Sequence, residues 1–442
     1  MMHATNYLDD LFSFINRSPT SYHALKSSVA ILSEHGFQSL DEGNSWNELN
    51  PGSYYVTRND ASLIAFTLTD SPQAGLPLRM AGAHTDSPGL KIKPNPVQLR
   101  HGCVQLGVEV YGGALLAPWF DRNLSIAGRV GWSCADGPLR CSLIDFKRPV
   151  ATIPSLAIHL DREVNSKRSI DKQTDLVPLV MLSGDSAPPD IQTFLRPELA
   201  RLHPEAAAAA ILAFDLFLYD TQPLCRVGFN GEFLTGSRLD NLLSCHALVR
   251  ALVQSGIGRN RLVVLNDHEE VGSLSTAGAQ GPFLKSVLER LYPDPALRQQ
   301  VVASSLFVSA DNAHAVHPNF IGRHDPDHMP LLNRGPVIKT NANQRYATNA
   351  LTAALFRQFC AKAEVPCQQF VMRNDLACGS TIGPLTAAEI GVPTVDVGVP
   401  QLAMHSIRET VGHLDGWYLL RAMTTFFSEE DDRIRCPNSM LY

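Results

Sequence analysis

The chain alternates between segments with helical periodicity and short, continuous apolar segments. Near its start, Leu8, Leu11, Phe12 and Ile15 recur at spacings of three and four residues, which predicts one apolar helical face. Short apolar runs bounded by turn residues predict buried strands instead. Helices are therefore predicted in residues 6–16, 18–37, 240–256, 281–292, 348–365 and 416–430, and strands in residues 63–69, 77–83, 261–266, 304–310, 367–373 and 393–399.

This alternation predicts an α/β fold with a mostly parallel central sheet flanked by helices. The middle of the chain differs, because residues 93–230 contain short β-like segments separated by turns. One helix is predicted there, in residues 204–218, where an alanine run leads into an apolar segment. We expect an inserted β-rich domain in residues 93–230, between two parts of an α/β domain in residues 1–92 and 231–442.

Composition narrows the classes of function. A chain of 442 residues with 45% hydrophobic residues can bury a large core and is too long for one ordinary domain. The net charge of −6 with no dominant basic patch argues against nucleic acid as a partner. The first residues do not resemble a signal peptide, and we expect no membrane partner. Nine scattered cysteines without a C-x-x-C pair predict reduced thiols and a cytoplasmic location.

Histidines and carboxylates follow the predicted strands where each strand ends. Ligand sites in open α/β sheets lie outside the carboxyl ends of the strands, so these side chains are candidates for one site. A further carboxylate, Asp240, stands at the start of a strongly predicted helix. The strand-end segments are "HTDSPG" with His84 and Asp86, "DHEEVGS" with Glu269 and Glu270, "DNAHAVHPN" with Asp311 and His314, and "MHSIRE" with His405.

Each of these residues also has an ordinary structural interpretation. His84 could be a loop histidine, Asp240 a helix cap, and the pair Glu269 and Glu270 a solvated strand end. Together they indicate a metal site, because mixed histidine and carboxylate ligands suit zinc and similar divalent ions. The set exceeds what one tetrahedral zinc requires, and two metals sharing a bridging carboxylate would use it fully.

Other catalytic motifs are weaker. "HEEVG" lacks the second histidine of H-E-x-x-H, because Gly272 stands in its place. The chain has no G-x-S-x-G nucleophile motif, and "GAHTDSPG" lacks the lysine of a phosphate-binding P-loop. Cys378 lies in a plausible loop, but no cysteine-hydrolase signature surrounds it.

Seven ordered motifs together resemble the M18 metallopeptidases, the aspartyl aminopeptidases and their bacterial relatives. They extend from the segment that contains His84 to residue 412, so the resemblance covers essentially the whole chain. It implies a zinc peptidase-like catalytic domain interrupted by a dimerisation domain, with two zinc ions per subunit, other divalent metals being possible. It also implies a large homo-oligomer, typically a tetrahedral dodecamer. The motifs are "GAHTDSPGLKIKP", "SRLDN", "HEEVGS", "SADNAHAVHPN", "GPVIKTNANQRYATN", "CGSTIGP" and "MHSIRETVG".

The resemblance also implies which residues bind the metals. One metal site corresponds to His84, Asp240 and Asp311. The other corresponds to Asp240, Glu270 and His405, so that Asp240 would bridge the two ions.

The remaining roles come from the same resemblance. Glu269 corresponds to the general base, and Asp86 to a carboxylate that supports His84. His159 corresponds to a histidine that a neighbouring subunit supplies to the substrate. His268 stands where relatives often have asparagine. Substrate contacts are implied for His314, Lys339 and Tyr346.

The expected function is that of an aminopeptidase that removes N-terminal residues from peptides, with a preference for Asp and Glu. Lys339 would then bind the acidic side chain, although a solvated lysine is the ordinary interpretation. Two other classes remain open from the sequence: a non-catalytic binding or cargo protein on the same scaffold, and another zinc-dependent amidase.

Overall fold

The structure is a computed structural model that describes residues 4–46, 49–134, 137–183, 189–256 and 258–429. Its helices are α1 (Ala4–Asn16), α2 (Ser21–Glu34), α3 (Ile191–Leu202), α4 (Leu239–Gln254), α5 (Phe283–Leu291), α6 (Pro295–Ser304), α7 (Ala350–Lys362), α8 (Ile382–Ile390) and α9 (Asp415–Ser428). Its strands are β1 (Gln38–Ser39), β2 (Gly52–Arg58), β3 (Ser62–Leu68), β4 (Arg79–His84), β5 (Gly89–Arg100), β6 (Cys103–Tyr111), β7 (Leu124–Ser133), β8 (Arg140–Asp145), β9 (Leu179–Leu182), β10 (Ala210–Asp220), β11 (Cys225–Val227), β12 (Phe233–Gly236), β13 (Arg261–Asn266), β14 (Leu306–Ala310), β15 (Ala313–His314), β16 (Val337–Thr340), β17 (Gln368–Val371), β18 (Thr394–Gly398), β19 (Pro400–Leu402) and β20 (Glu409–Gly412).

The largest sheet has nine strands in the order β1-β2-β3-β13-β4-β14-β18-β16-β17. Its four central strands, β13, β4, β14 and β18, are all parallel, whereas β2, β3 and β16 form the antiparallel pairings. The carboxyl ends of the four central strands therefore meet at one edge of the sheet. The predicted α/β fold with a mostly parallel sheet is confirmed.

Helices cover both faces of this sheet because its central strands are apolar on both sides. On β13 the neighbours Val263 and Val264 are both buried, one against each face. Helices α1, α2, α4, α7 and α9 pack on one face, and α5, α6 and α8 pack on the other.

A second sheet, with six antiparallel strands in the order β8-β7-β10-β5-β6-β9, is formed by the chain between Gly89 and Asp220. Helix α3 packs on it through Leu195 and Leu199. The sheet begins four residues before position 93, which lies inside β5. The limits of an inserted domain and its role in dimerisation stay predictions.

The helix predicted in residues 204–218 is wrong. The chain makes one short helical turn at Pro204–Ala208 and then continues as strand β10. Leu216 and Leu218 are buried at a spacing of two residues, and β10 pairs with β7 along its length. Cross-strand pairing and this alternation outweigh the helix propensity of the alanine run.

A third sheet of five short strands, in the order β11-β12-β20-β19-β15, leads into helix α4 and contains Glu409 on β20. Among the described helices, none has the length and apolar character needed to cross a membrane.

Candidate metal centre

The carboxyl ends of adjacent parallel strands bring the first ligand candidates together. His84 is the last residue of β4, and Asp311 follows the last residue of β14. These strands are neighbours, and His84 Nε2 lies 3.5 Å from Asp311 Oδ1. Both side chains are buried, so the two groups face each other away from bulk solvent.

Asp240 lies between two histidines. Its Oδ1 is 3.6 Å from His84 Nε2, and its Oδ2 is 3.6 Å from His405 Nε2. The sequence allowed Asp240 to be a helix cap. The N-cap of α4 is Arg238 instead, so Asp240 does not have that role. One carboxylate therefore presents one oxygen to each histidine.

The residues form overlapping groups that could each hold a metal ion. One group is His84, Asp240 and Asp311, and another is Asp240, Glu270 and His405, with the ligand atoms of each group within 4.8 Å of one another. In the second group, His405 Nε2 lies 3.3 Å from Glu270 Oε2. A third combination joins His84 to Glu269 and Glu270.

The two adjacent glutamates converge because the chain turns directly after β13. His268 adopts a left-handed conformation with φ +65°, and Glu269–Val271 form one turn of 3₁₀ helix. Gly272, with φ +96°, ends that turn. The turn therefore begins at His268, two residues after the last residue of β13. Neighbouring side chains in a helical turn diverge less than those on a strand, so both carboxylates reach the same site.

Asp86 fixes the position of this turn. Its carboxylate accepts the backbone N–H groups of Glu269 and Glu270, both at 3.1 Å, and the Tyr111 hydroxyl at 2.8 Å. Its backbone carbonyl lies 3.0 Å from His84 Nδ1. A hydrogen bond there keeps the proton on Nδ1 and leaves Nε2 free as a ligand.

Glu409 supports the backbones of Asp240 and His405 as Asp86 supports those of Glu269 and Glu270. The sequence alone did not identify Glu409 as a site residue. Its buried carboxylate accepts the backbone N–H of Asp240 at 3.0 Å and that of His405 at 2.9 Å. The available signal was its place four residues after His405 in the same motif. Burial and the nearby Asp240 carboxylate raise the pKa of Glu409 well above its usual range.

The electrostatics of the site favour a bound cation. Burial, together with the carboxylates of Asp311, Asp86 and Asp240, raises the pKa of Glu269 to about 8. Burial and Asp240 likewise raise the pKa of Glu270 well above its usual range. Crowded carboxylates of this kind repel one another unless positive charge lies between them.

Two buried oxygens support the same conclusion. Asp240 Oδ1 and Glu270 Oε1 have no hydrogen-bond partner among the described residues. Buried polar atoms are normally paired, and a divalent ion would satisfy both oxygens. The donor set of histidine nitrogens and carboxylate oxygens is one that suits zinc.

Three of the four predicted substrate residues lie near the metal centre. Lys339 is buried beside the site, with Nζ 3.6 Å from Asp311 Oδ2 and 5.2 Å from the centroid of the Tyr346 ring. It also donates to the Asn312 carbonyl at 3.3 Å. His314 is the last residue of β15 and stacks edge-on against Phe370.

His159 lies elsewhere. It is exposed, in a turn-rich segment between β8 and β9 of the second sheet, and is flanked by the exposed side chains of Ile158 and Leu160. Within the described ranges, the structure records no hydrogen bond or ion pair that joins His159 to the metal centre. His268, whose role the sequence left open, lies 2.8 Å from Ser275 Oγ through Nδ1 and 3.3 Å from Asp267 Oδ2 through Nε2.

Glu409 provides a test of the site geometry. Glu409→Ala removes the acceptor of two ligand backbones, and we expect the affinity for Zn²⁺ to fall by about 100-fold, the upper end for such supporting residues. Glu409→Gln keeps one acceptor oxygen and should lose roughly 10-fold. Competition with a chromogenic chelator measures both values. Glu389→Gln, a partly exposed partner of Lys285, is the matched control. Unchanged affinity in Glu409→Ala would refute this role.

Known proteins are similar to this chain in sequence and in fold. A family model described as "Aminopeptidase I zinc metalloprotease (M18)" matches residues 14–427. A "Probable M18 family aminopeptidase 2" of Stutzerimonas stutzeri is 51% identical over 421 residues, covering 95% of this chain and 98% of the relative.

Two solved structures are similar over nearly the whole chain. One, described as a cryo-EM structure of the Ape4 and Nbr1 complex, is 39% identical with a TM-score of 0.92, covering 96% of this chain and 86% of that one. The S. cerevisiae mApe1 dodecamer is 29% identical with a TM-score of 0.83, covering 96% of each chain. The chain therefore belongs to the M18 family of zinc metalloproteases and is a metallo-aminopeptidase.

Proposed function

We propose that the chain is a dinuclear zinc aminopeptidase in which Asp240 bridges the two ions. The observation that supports this is the placement of Asp240, with one oxygen toward His84 and the other toward His405. Asp311 would complete one ion's ligands and Glu270 the other's. Other divalent metals fit the same donors.

Glu269 would act as the general base. Bound zinc would lower the pKa of a water and polarise the scissile carbonyl. Glu269 would take the proton of the attacking water and deliver it to the leaving amine. Burial and the surrounding carboxylates raise the pKa of Glu269, which suits a group that must hold the transferred proton between the two steps. Asp86 would position Glu269 by accepting its backbone N–H.

We propose a preference for acidic N-terminal residues. Lys339 is the buried cation beside Asp311, and its ammonium group lies over the Tyr346 ring. An Asp or Glu side chain that reached the ammonium group would gain a charge-assisted hydrogen bond in a dry site. His314 would also contact the substrate beside Lys339. Burial and the nearby Lys339 charge lower the pKa of His314 to about 4, so it would do so as a neutral ring.

We also propose a homo-oligomer, by analogy with the dodecamer described for the yeast relative. The region of the second sheet would provide the dimer contact and would place His159 in a neighbouring subunit's site. Its support is the exposed apolar segment around His159, where Leu156 and Leu160 are 60% and 75% exposed. Apolar side chains exposed this close together are typical of protein interfaces. Peptides are the proposed substrates, and the cytoplasmic location stays a prediction.

The substrate class can be tested with three anilides and a blocked peptide. The zinc-loaded enzyme should hydrolyse Asp- and Glu-anilides faster than Leu-anilide, and should not cleave N-acetylated peptides. Lys339→Met should lower kcat/KM for the acidic anilides by about 30-fold, the loss of one charged hydrogen bond, and leave Leu-anilide unchanged. Lys339 contacts the candidate ligand Asp311, so zinc content is measured on the same samples to show that the variant has not lost metal.

Other outcomes of this assay identify the alternative classes. Cleavage of N-acetylated peptides would indicate another zinc-dependent amidase. No turnover of any substrate at full zinc content would indicate a binding or cargo protein. Equal losses for acidic and neutral anilides in Lys339→Met would contradict the specificity role.

Complementation between subunits tests the base and His159 together. Glu269→Gln should keep its zinc and lose about 10²- to 10⁴-fold in kcat, the usual contribution of a general base. His159→Ala should also lose activity while its oligomer stays intact by light scattering. Mixed oligomers should regain activity, because an intact Glu269 in one subunit would receive His159 from its neighbour. If mixtures remain as inactive as the two parents, His159 does not act across subunits.

A further inference from the structure

A cavity lies away from the metal centre, between the first two helices and the six-stranded sheet. Its volume is about 580 Å³. Its walls come from α1 and α2 on one side, and from β8, β10 and the segment before α4 on the other. Cavities of this size at the junction of two structural units are typical positions for small-molecule sites.

Positive charge dominates the walls of this cleft. Lys26, Lys147 and Arg238 all line it, as does Arg17. Within the described residues, none of these four cations lies within ion-pair distance of a carboxylate. Arg201 also lines the cleft, but its Nε already lies 3.2 Å from a carboxylate oxygen of its own helix.

The two carboxylates in the cleft act electrostatically on Arg238, but they are hydrogen-bonded or ion-paired to other groups and are outnumbered by the lining cations. Asp220 is buried and lies 3.5 Å from both Arg122 and Arg408. Asp145 accepts the Tyr219 hydroxyl at 2.6 Å. Their acceptor capacity is therefore directed away from the free cations, which leaves an excess of positive charge.

Arg238 is held in a fixed orientation. Its backbone is left-handed with φ +60°, and its Nε donates to the Ser18 carbonyl at 3.0 Å. The guanidinium carbon lies 5.8 Å from the centroid of the Tyr219 ring. No acceptor is recorded among the described residues for its two terminal nitrogens, which form the planar fork that binds phosphate or carboxylate in two hydrogen bonds.

A buried histidine also lines the cleft. His23 Nδ1 is 2.8 Å from Thr20 Oγ1. Burial lowers the pKa of His23 to about 4; Asp145 opposes this shift, whereas the charges of Lys26, Arg238 and Lys147 add to it. The same cavity thus contains His23 and these three cations, and an anion bound in it would interact with them.

We propose that this cleft binds a small phosphate-bearing anion. The phosphate would lie between the Arg238 fork and the ammonium groups of Lys26 and Lys147. A free phosphate ion leaves most of a 580 Å³ cavity unfilled, so a phosphate monoester is the fitting class. The site does not share ligands with the metal centre, and it stands independently of the proposed catalytic mechanism.

Isothermal titration calorimetry on the zinc-loaded oligomer tests the proposal. The probes are inorganic phosphate, glucose 6-phosphate and adenosine monophosphate, at constant ionic strength. Lys26→Met/Lys147→Met should weaken monoester binding by at least ~30-fold, because it removes two charged partners from exposed positions that the fold does not need. Lys285→Met/Lys362→Met is the matched control, since both lysines already have glutamate partners elsewhere.

The outcomes separate the sources of any binding. Monoester binding that depends on Lys26 and Lys147 supports the proposal. Equal dependence for inorganic phosphate identifies free phosphate as the ligand of the same site. Binding that is unchanged in the double variant places the anion at the metal centre and overturns the proposal. Absence of binding by all three probes in the intact oligomer also overturns it, as would be the case if a neighbouring subunit filled the cleft.

Discussion

Two buried carboxylates hold the metal centre together, and neither is a member of the metal-binding groups. Asp86 accepts the backbone N–H groups of Glu269 and Glu270, while Glu409 accepts those of Asp240 and His405. Asp86 thus holds two consecutive residues of one turn, and Glu409 connects two residues that lie far apart in the sequence. A ligand residue that moves must break a hydrogen bond between its backbone N–H and a buried carboxyl group, where such bonds are strong. The geometry of the site therefore depends on these backbone contacts as much as on the ligands.

The sheet explains why distant residues meet. Parallel order in β13, β4, β14 and β18 places four carboxyl ends side by side, and the candidate ligands follow those ends. The sequence predicted this arrangement well, because short apolar runs that alternate with helical segments are a strong signal for buried parallel strands. It also identified the ligand candidates, since histidines and carboxylates at strand ends have no role in core packing.

Other features could not be predicted from the sequence, for identifiable reasons. Glu409 looks like an ordinary polar residue until β20 brings it beneath Asp240. The left-handed backbone at His268 is set by the fold, because local preference would not choose it. Residues 204–218 were predicted as helix because alanine favours it, whereas pairing with β7 decides the outcome. The burial of Lys339 against Asp311 likewise follows only from tertiary contacts.

The zinc content of Asp240→Ala, measured by elemental analysis after dialysis against a weak chelator, tests the bridging role most directly. The unsubstituted chain should retain two zinc ions per subunit. Asp240→Ala should retain essentially none, because both groups lose a ligand and the remaining carboxylates repel. Two zinc ions in Asp240→Ala would contradict the bridging role on which the proposed mechanism depends.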